Sequence, residues 1–295
     1  MDKATQKPSP SKPQHRLRAG DDQGGASQGA SPASLRMADA KDPLLETNKP
    51  YELLYDTPEI PRGANFDEIT ESVPIEDFRP LKGKLSLDKD GFVLVDLPRT
   101  IPYEDYFDEA TLKAGFVNDA KRVLLDVCGA RAVYIHECVI RKRAEKEKGF
   151  GVPIPRVHGD YTIDEASKLI GQLCGDRAEA VRKHRYQMIN VWKPLKGPLK
   201  DWPLAFCRLG SLADEDLKKI DLIHPDDTLE SYRVHYNLNQ QWGYFKEQKA
   251  SEMVIFKSAD SLVSGTVPHC AFDNPGCPPG EPARESIELR ALVVH

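Results

Sequence analysis

No apolar run in these 295 residues approaches the roughly 18 needed for a membrane-spanning helix, which excludes a helical span. Positive charge is also scarce: 41 Lys and Arg stand against 46 Asp and Glu, a net charge of -5. Without excess basic surface, a nucleic-acid phosphate backbone is not an expected partner. The six cysteines, at 128, 138, 174, 207, 270 and 277, include no C-x-x-C pair. That spacing suits reduced thiols in a cytoplasmic protein better than a disulfide frame or a zinc knuckle. The first residues are polar and lack the apolar core of a secretory signal. Internal repeats are absent, as is the strand–helix alternation that would support a parallel α/β sheet.

What is present is an ordinary globular composition, 40% hydrophobic and 29% charged. Residues 1–48 are rich in Ser, Pro, Gly, Gln and Lys. Such a segment buries too little apolar surface to offset its ordering entropy, so it reads as a disordered tail rather than a transit peptide. Residues 49–295 then read as a single domain, with 49–130 a helical and hairpin support and 131–295 the core. In the support, Lys84–Asp88 and Gly91–Val95 alternate around Asp88-Lys89-Asp90-Gly91, the pattern of a hairpin. Phe107, Leu112, Phe116, Ala120, Val123 and Leu124 follow at helical spacing, with Gly129 as the stop. Strands are expected over 132–141, 152–160, 186–192, 204–209, 229–236, 241–245, 253–257, 264–269 and 284–294, with one helix over about 164–183. Thr162 and Glu165 form a capping-box pattern at its start. So many short strands in one block predict a mainly β fold with flanking helices, a sandwich or jelly roll.

The core is organised around Arg156-Val157-His158-Gly159-Asp160-Tyr161-Thr162. On an extended chain, positions i and i+2 share a side, so His158 and Asp160 project an imidazole and a carboxylate together. A second histidine, His269 in Val267-Pro268-His269-Cys270-Ala271-Phe272, completes two histidines and one carboxylate with other positions open. That donor set is the one used by non-haem Fe(II) oxygenases. In the last strand, Arg284, Ser286, Glu288 and Arg290 share one face, while Ile287, Leu289, Ala291 and Val293 share the other. Such a polar face on a late, central strand lines a wet cavity or a network of paired charges. Arg284-x-Ser286 offers the forked guanidinium and hydroxyl that a dicarboxylate needs. A salt-bridged strand edge explains the same face equally well, and Arg290 remains an alternative clamp. Asn190 and Trp192 project from a neighbouring strand toward the same side, to hydrogen-bond a co-substrate, wall the pocket or fill the core. Tyr161, Tyr232 and Tyr244 are further candidates for the pocket wall. His136, His184, His224 and His235 read as structural or surface histidines, and the proline-rich 273–283 connection as a stiff loop at the site mouth.

Several segments carry a family resemblance. They are Arg156–Thr162, Ile189-Asn190-Val191-Trp192-Lys193-Pro194-Leu195-Lys196-Gly197-Pro198, Asp201-Trp202-Pro203-Leu204-Ala205, Glu252-Met253-Val254-Ile255-Phe256-Lys257, Pro268–Phe272 and Arg284–Arg290. Together they make most of the chain beyond residue 50 resemble the fungal hydroxylase/desaturase family of secondary metabolism. That family includes gibberellin desaturase and is related to a cephamycin methoxylation protein. The resemblance implies a double-stranded β-helix (cupin-like jelly roll) dioxygenase using Fe(II), 2-oxoglutarate and O2 on a small-molecule biosynthetic intermediate, with His158, Asp160 and His269 as metal ligands. Gln240-Gln241-Trp242-Gly243-Tyr244-Phe245 and Ile135-His136-Glu137-Cys138 depart from the family pattern, which puts substrate choice rather than chemistry in question. An intact Asp160 argues against halogenation, which needs that carboxylate replaced. The competing readings are a cupin-like zinc hydrolase or isomerase, since His and Asp also bind zinc, and a non-catalytic accessory protein. A homodimer stays open.

Overall fold

The computed structural model describes residues 31–39, 42, 48–56, 63–144, 150–263 and 265–295. Two antiparallel-rich sheets face each other. The larger runs β1 (Ser31–Ala38), β4 (Glu68–Asp77), β12 (Trp242–Tyr244), β9 (Leu204–Cys207), β14 (His269–Ala271), β7 (His158–Gly159), β11 (Thr228–Val234), β10 (Leu217–Ile223), β2 (Tyr51–Leu53) and β3 (Gly63–Ala64). The smaller runs β5 (Phe92–Asp96), β13 (Glu252–Asp260), β8 (Tyr186–Pro194), β15 (Glu285–Val294) and β6 (Ala132–Lys142). This is a curled jelly roll, the double-stranded β-helix that the sequence predicts.

Alternation along the strands sorts the residues. On β8 and β15, Ile189, Val191, Ile287, Leu289, Ala291 and Val293 turn outward into a core shared with helix α1 (Asn118–Cys128), where Ala120 and Leu124 sit four residues apart. Gly129 ends α1 in the left-handed conformation at φ 60°, as its sequence position predicts. The inner faces meet in an aromatic floor: Phe92 stacks on Phe206 at 5.3 Å, and Phe206 meets Phe256 edge-on at 5.3 Å. Helix α2 (Ile163–Cys174) closes one flank with Ala166, Leu169, Ile170 and Cys174 against Met188 and Leu292. Thr162 caps it, accepting from Glu165 N–H at 3.1 Å. The Glu165 carboxylate instead accepts from Glu230 N–H, so only half of the predicted capping box forms.

Four expectations change. The tail predicted over 1–48 contains β1, whose Ala33, Leu35 and Met37 are buried against Val73 and Ile75; residues 1–30 lie outside the described residues. The 84–95 hairpin is a single strand, β5, paired with β13. Its proposed partner is coil, because Asp90 turns back to accept from Ser86 N–H while Ser86 O accepts from Asp90 N–H. The strand expected over 152–160 shrinks to the two residues of β7, and the one over 264–269 moves on to β14.

Candidate metal centre and co-substrate pocket

Three side chains converge where β7 and β14 lie side by side, with His158 and His269 in register. The Asp160 carboxylate lies 3.6 Å from His158 Nε2 and 3.8 Å from His269 Nε2. All three donor atoms fit within 4.8 Å of one another, close enough to share one ion. The backbone sets the tautomer: His158 Nδ1 sits 2.8 Å from Arg156 O, and His269 Nδ1 3.0 Å from Val267 O. A carbonyl can only accept, so each Nδ1 carries the proton and each Nε2 presents its lone pair to the centre. Gly159 is required by close approach: a Cβ there would lie 2.5 Å from Thr266 Cγ2.

Burial works to raise the Asp160 carboxyl, but Arg290, His269, His158 and a hydrogen bond from Asn190 outweigh it and hold it far below the usual range. Asp160 is therefore a carboxylate. Burial, then the neighbouring His269, push His158 well below ordinary histidine. Two imidazoles and one carboxylate form a donor set suited to a divalent ion.

The wall beside this triad comes from β8 and β15. Asn190 is fully buried; its Nδ2 donates to both Asp160 and Glu288, and its Oδ1 accepts from Ser258 Oγ at 2.9 Å. Arg290 pairs with Glu137 at 2.6 Å, Asp160 at 3.3 Å and Glu288 at 3.5 Å. Both residues contact Asp160, and Arg290 Nε is buried without a hydrogen-bond partner among the described residues. Arg284 is different. It is 2% exposed, yet no carboxylate lies within ion-pair distance of its guanidinium among the described residues. Its Nε donates to Ser286 Oγ at 3.1 Å and its Nη1 to Trp202 O at 2.8 Å, while its Cζ lies 4.9 Å over the Trp192 ring. Trp202 holds φ 44°, a strained conformation for so bulky a residue, and so aims that carbonyl. Burial first, and Arg141 next, pull Arg284 down to about 9, against the weaker opposing influence of Glu288 and Asp201, neither of which reaches ion-pair distance.

One cavity joins the two halves: His158 and His269 line it together with Arg284, Trp192, Glu288 and Arg141. Trp192 Nε1 is buried there without a hydrogen-bond partner among the described residues. The sequence missed Arg141 as a lining residue, although its position opposite Ser286 on β6 places it there once strand register is known. Tyr161 is buried beside Arg290 and meets His136 edge-on at 6.3 Å, which brings a histidine read as structural to the rim. Tyr244 instead packs on Phe272 in a separate groove. The proline-rich connection is tied through Asn274 to Lys200 O; residues 274–276 line that groove, while Glu281, Pro282 and Ala283 line another beside Arg284.

A jelly roll that gathers two histidines, a carboxylate and an unpaired buried arginine defines a non-haem metal oxygenase of the keto-acid-dependent class. Comparison with known proteins gives the family. A family model described as "Oxidoreductase/YMDC permease-like domain" matches residues 38–294. The Fe(II)/2-oxoglutarate-dependent dioxygenase nvfI of Aspergillus novofumigatus is 32% identical over 78% of this chain and 85% of its own length. The alpha-ketoglutarate-dependent dioxygenase tstK of Talaromyces stipitatus is 30% identical over 76% and 85%, and the hydroxylase/desaturase efuI of Hormonema carpetanum 29% over 76% and 83%. The solved structure of the iron and alpha-ketoglutarate-dependent endoperoxidase NvfI superposes with a TM-score of 0.82 at 27% identity, covering 91% of this chain and 99% of that one. The chain belongs to the Fe(II)/2-oxoglutarate-dependent dioxygenases, with Fe(II), 2-oxoglutarate and O2 as its cofactor and co-substrates. No described helix is long and apolar enough to cross a membrane.

Proposed function

We propose that His158, Asp160 and His269 hold the Fe(II), and that Arg284 and Ser286 receive the distal carboxylate of 2-oxoglutarate. The observation that carries this is the buried Arg284 guanidinium, without a carboxylate partner among the described residues, in the same cavity as both histidines. A dianion placed there meets the charged fork and is held by parallel hydrogen bonds. Zinc-hydroxide chemistry has no use for such a clamp, which disfavours the hydrolase reading.

The bound Fe(II) and 2-oxoglutarate together supply O2 activation, coupled to decarboxylation to succinate and CO2. The chain's own part is geometric and electrostatic. Its backbone carbonyls keep both Nδ1 atoms protonated, and Asn190 and Arg290 fix Asp160 as a carboxylate. Trp192 supplies the face beneath Arg284, and its Nε1–H is buried without a hydrogen-bond partner among the described residues. The aromatic floor of Phe92, Phe206 and Phe256 excludes water from below, with Phe256 4.7 Å from the His269 ring. The substrate is a small organic intermediate of secondary metabolism; the names of relatives suggest hydroxylation, desaturation or endoperoxide formation, and ring formation is a further outcome open to the same site. We place the enzyme in the cytoplasm as a single oxygenase domain.

The test is anaerobic titration of the protein with Fe(II) and 2-oxoglutarate. A weak visible charge-transfer band saturating at one equivalent is the expected result. Its absence at saturating iron, or an identical response with acetate, rules the reading out.

A further inference from the structure

Glu52 lies on the short strand β2, outside the donor triad, and is only 5% exposed. Its two carboxylate oxygens hold two different arginines: Arg156 Nη2 donates to Oε1, and Arg233 Nη2 donates to Oε2 at 2.6 Å. Both arginines are joined to His158. The carbonyl of Arg156 is the acceptor that keeps His158 Nδ1 protonated. Arg233 is the residue opposite His158 in the β11–β7 ladder. A second carboxylate, Glu68, lies 3.5 Å from Arg156 and 3.7 Å from Arg36, whose own carbonyl accepts from Val157 N–H at 2.8 Å.

The ladder around His158 is only two residues long, and a ladder that short does not fix a backbone by itself. The rest of the restraint comes from this network. A carboxylate with one arginine on each oxygen is geometrically specific, because each fork demands its own angle. Residues 156, 157 and the cross-strand neighbour of 158 are thereby tied to β1, β2 and β4, elements that supply no donor atom.

We propose that Glu52 is a positioning residue for His158, clamping Arg156 and Arg233 so that the imidazole presents Nε2 to Asp160 and His269. This rests on the triad being the metal site. The orientation of an imidazole and the partner on its far nitrogen both set its strength as a ligand, and disturbing such a partner lowers metal affinity about 10- to 100-fold.

The test is Co(II) titration of the full-length, metal-free protein, read by visible absorption and independent of turnover. Three variants are compared: Glu52→Gln, Glu52→Asp, and the double variant Glu52→Gln/Arg233→Gln, which leaves no buried arginine without its counter-charge. Glu52→Gln and the double variant are expected to weaken Co(II) about tenfold and alter the band shape. Glu52→Asp, which keeps the charge, is expected to recover part of the affinity. His269→Ala serves as the control and is expected to lose Co(II) binding. Wild-type affinity in both folded Glu52→Gln variants, with only a lowered melting temperature, overturns the proposal and leaves Glu52 a structural ion pair. Wild-type affinity in His269→Ala overturns the metal assignment beneath it as well, and so separates the two failures.

Discussion

Arg284 and Arg290 stand at opposite ends of one strand face, six residues apart, and the sequence pattern treats them alike. Their surroundings differ completely. Arg290 sits among Glu137, Asp160 and Glu288, and although burial opposes its charge, these carboxylates hold it well above the ordinary arginine range. Arg284 has a hydroxyl, a carbonyl and a tryptophan face around it, and burial draws it down instead. A buried cation already matched by anions is part of the scaffold. One matched only by neutral acceptors is poised for an anion that arrives later. On the proposed assignment the strand divides its labour: one end holds Asp160, and the other receives the co-substrate.

On that proposal both ends serve one metal ion, and removing a side chain that holds it should have the largest effect. His269→Ala or Asp160→Ala is expected to reduce succinate formation to that of a metal-free control, measured with excess Fe(II); wild-type rates in either would remove the site. Next comes the co-substrate end. Losing a charged, two-pronged contact is worth about 1.5–3 kcal/mol, or roughly 10- to 100-fold. Arg284→Ala should therefore raise the 2-oxoglutarate concentration for half-saturation by about that factor, with the organic-substrate KM unchanged. Arg284→Lys should recover only part, since an ammonium lacks the fork. Arg290→Ala should do the converse. It is expected to weaken Fe(II) about tenfold, by freeing Asp160, and to leave 2-oxoglutarate saturation within about twofold once iron is saturating. Equal effects of the two arginine variants on 2-oxoglutarate would erase the distinction.

Much of this site is legible from spacing alone. His158 and Asp160 are two apart on extended chain, and the inward and outward faces of β8 and β15 follow strict alternation. What alternation cannot supply is the cross-strand register. Only the pairing of Arg290 with Glu137 on β6, and of Ser286 with Arg141, shows which arginine is already neutralised. The clamp on His158 was hidden for the same reason, since Glu52 and Arg233 are 181 residues apart. The strand β1 is a different kind of omission. Its alternation of Ala33, Leu35 and Met37 with Ser34 and Arg36 is present in the sequence, masked by low-complexity neighbours. Over 84–95 the alternation misled, because it ignored that an Asp–Ser turn closes locally and leaves β5 to pair with distant β13.

A third buried cation sharpens the rule by serving as its control. Lys193 lies on β8 opposite Ile287, on the outward face, is fully buried, and has no carboxylate within ion-pair distance among the described residues. Unlike Arg284 it lines no cavity with the histidines. Its Nζ donates to Tyr106 Oη at 2.8 Å and lies 4.6 Å from that ring. Burial lowers it to about 7 from 10.5, so near neutrality it can shed its proton and needs no anion, a release not open to an arginine. The depressed value fixes the sign. As pH falls from about 10.5 to 7, the unfolded chain takes up the proton first, so stability declines; below 7 both states are charged and the penalty stays constant. Every tenfold loss of proton affinity on folding costs about 1.4 kcal/mol, part of which the Tyr106 hydrogen bond offsets. Lys193→Met should therefore raise the melting temperature by a few degrees at pH 7 and below. The gain should shrink steadily toward pH 10, and 2-oxoglutarate saturation should not change. A stability gain independent of pH would show that packing, not the ammonium, sets the difference. A changed 2-oxoglutarate requirement would mean that a buried, unpaired cation on either face of this sheet serves the co-substrate.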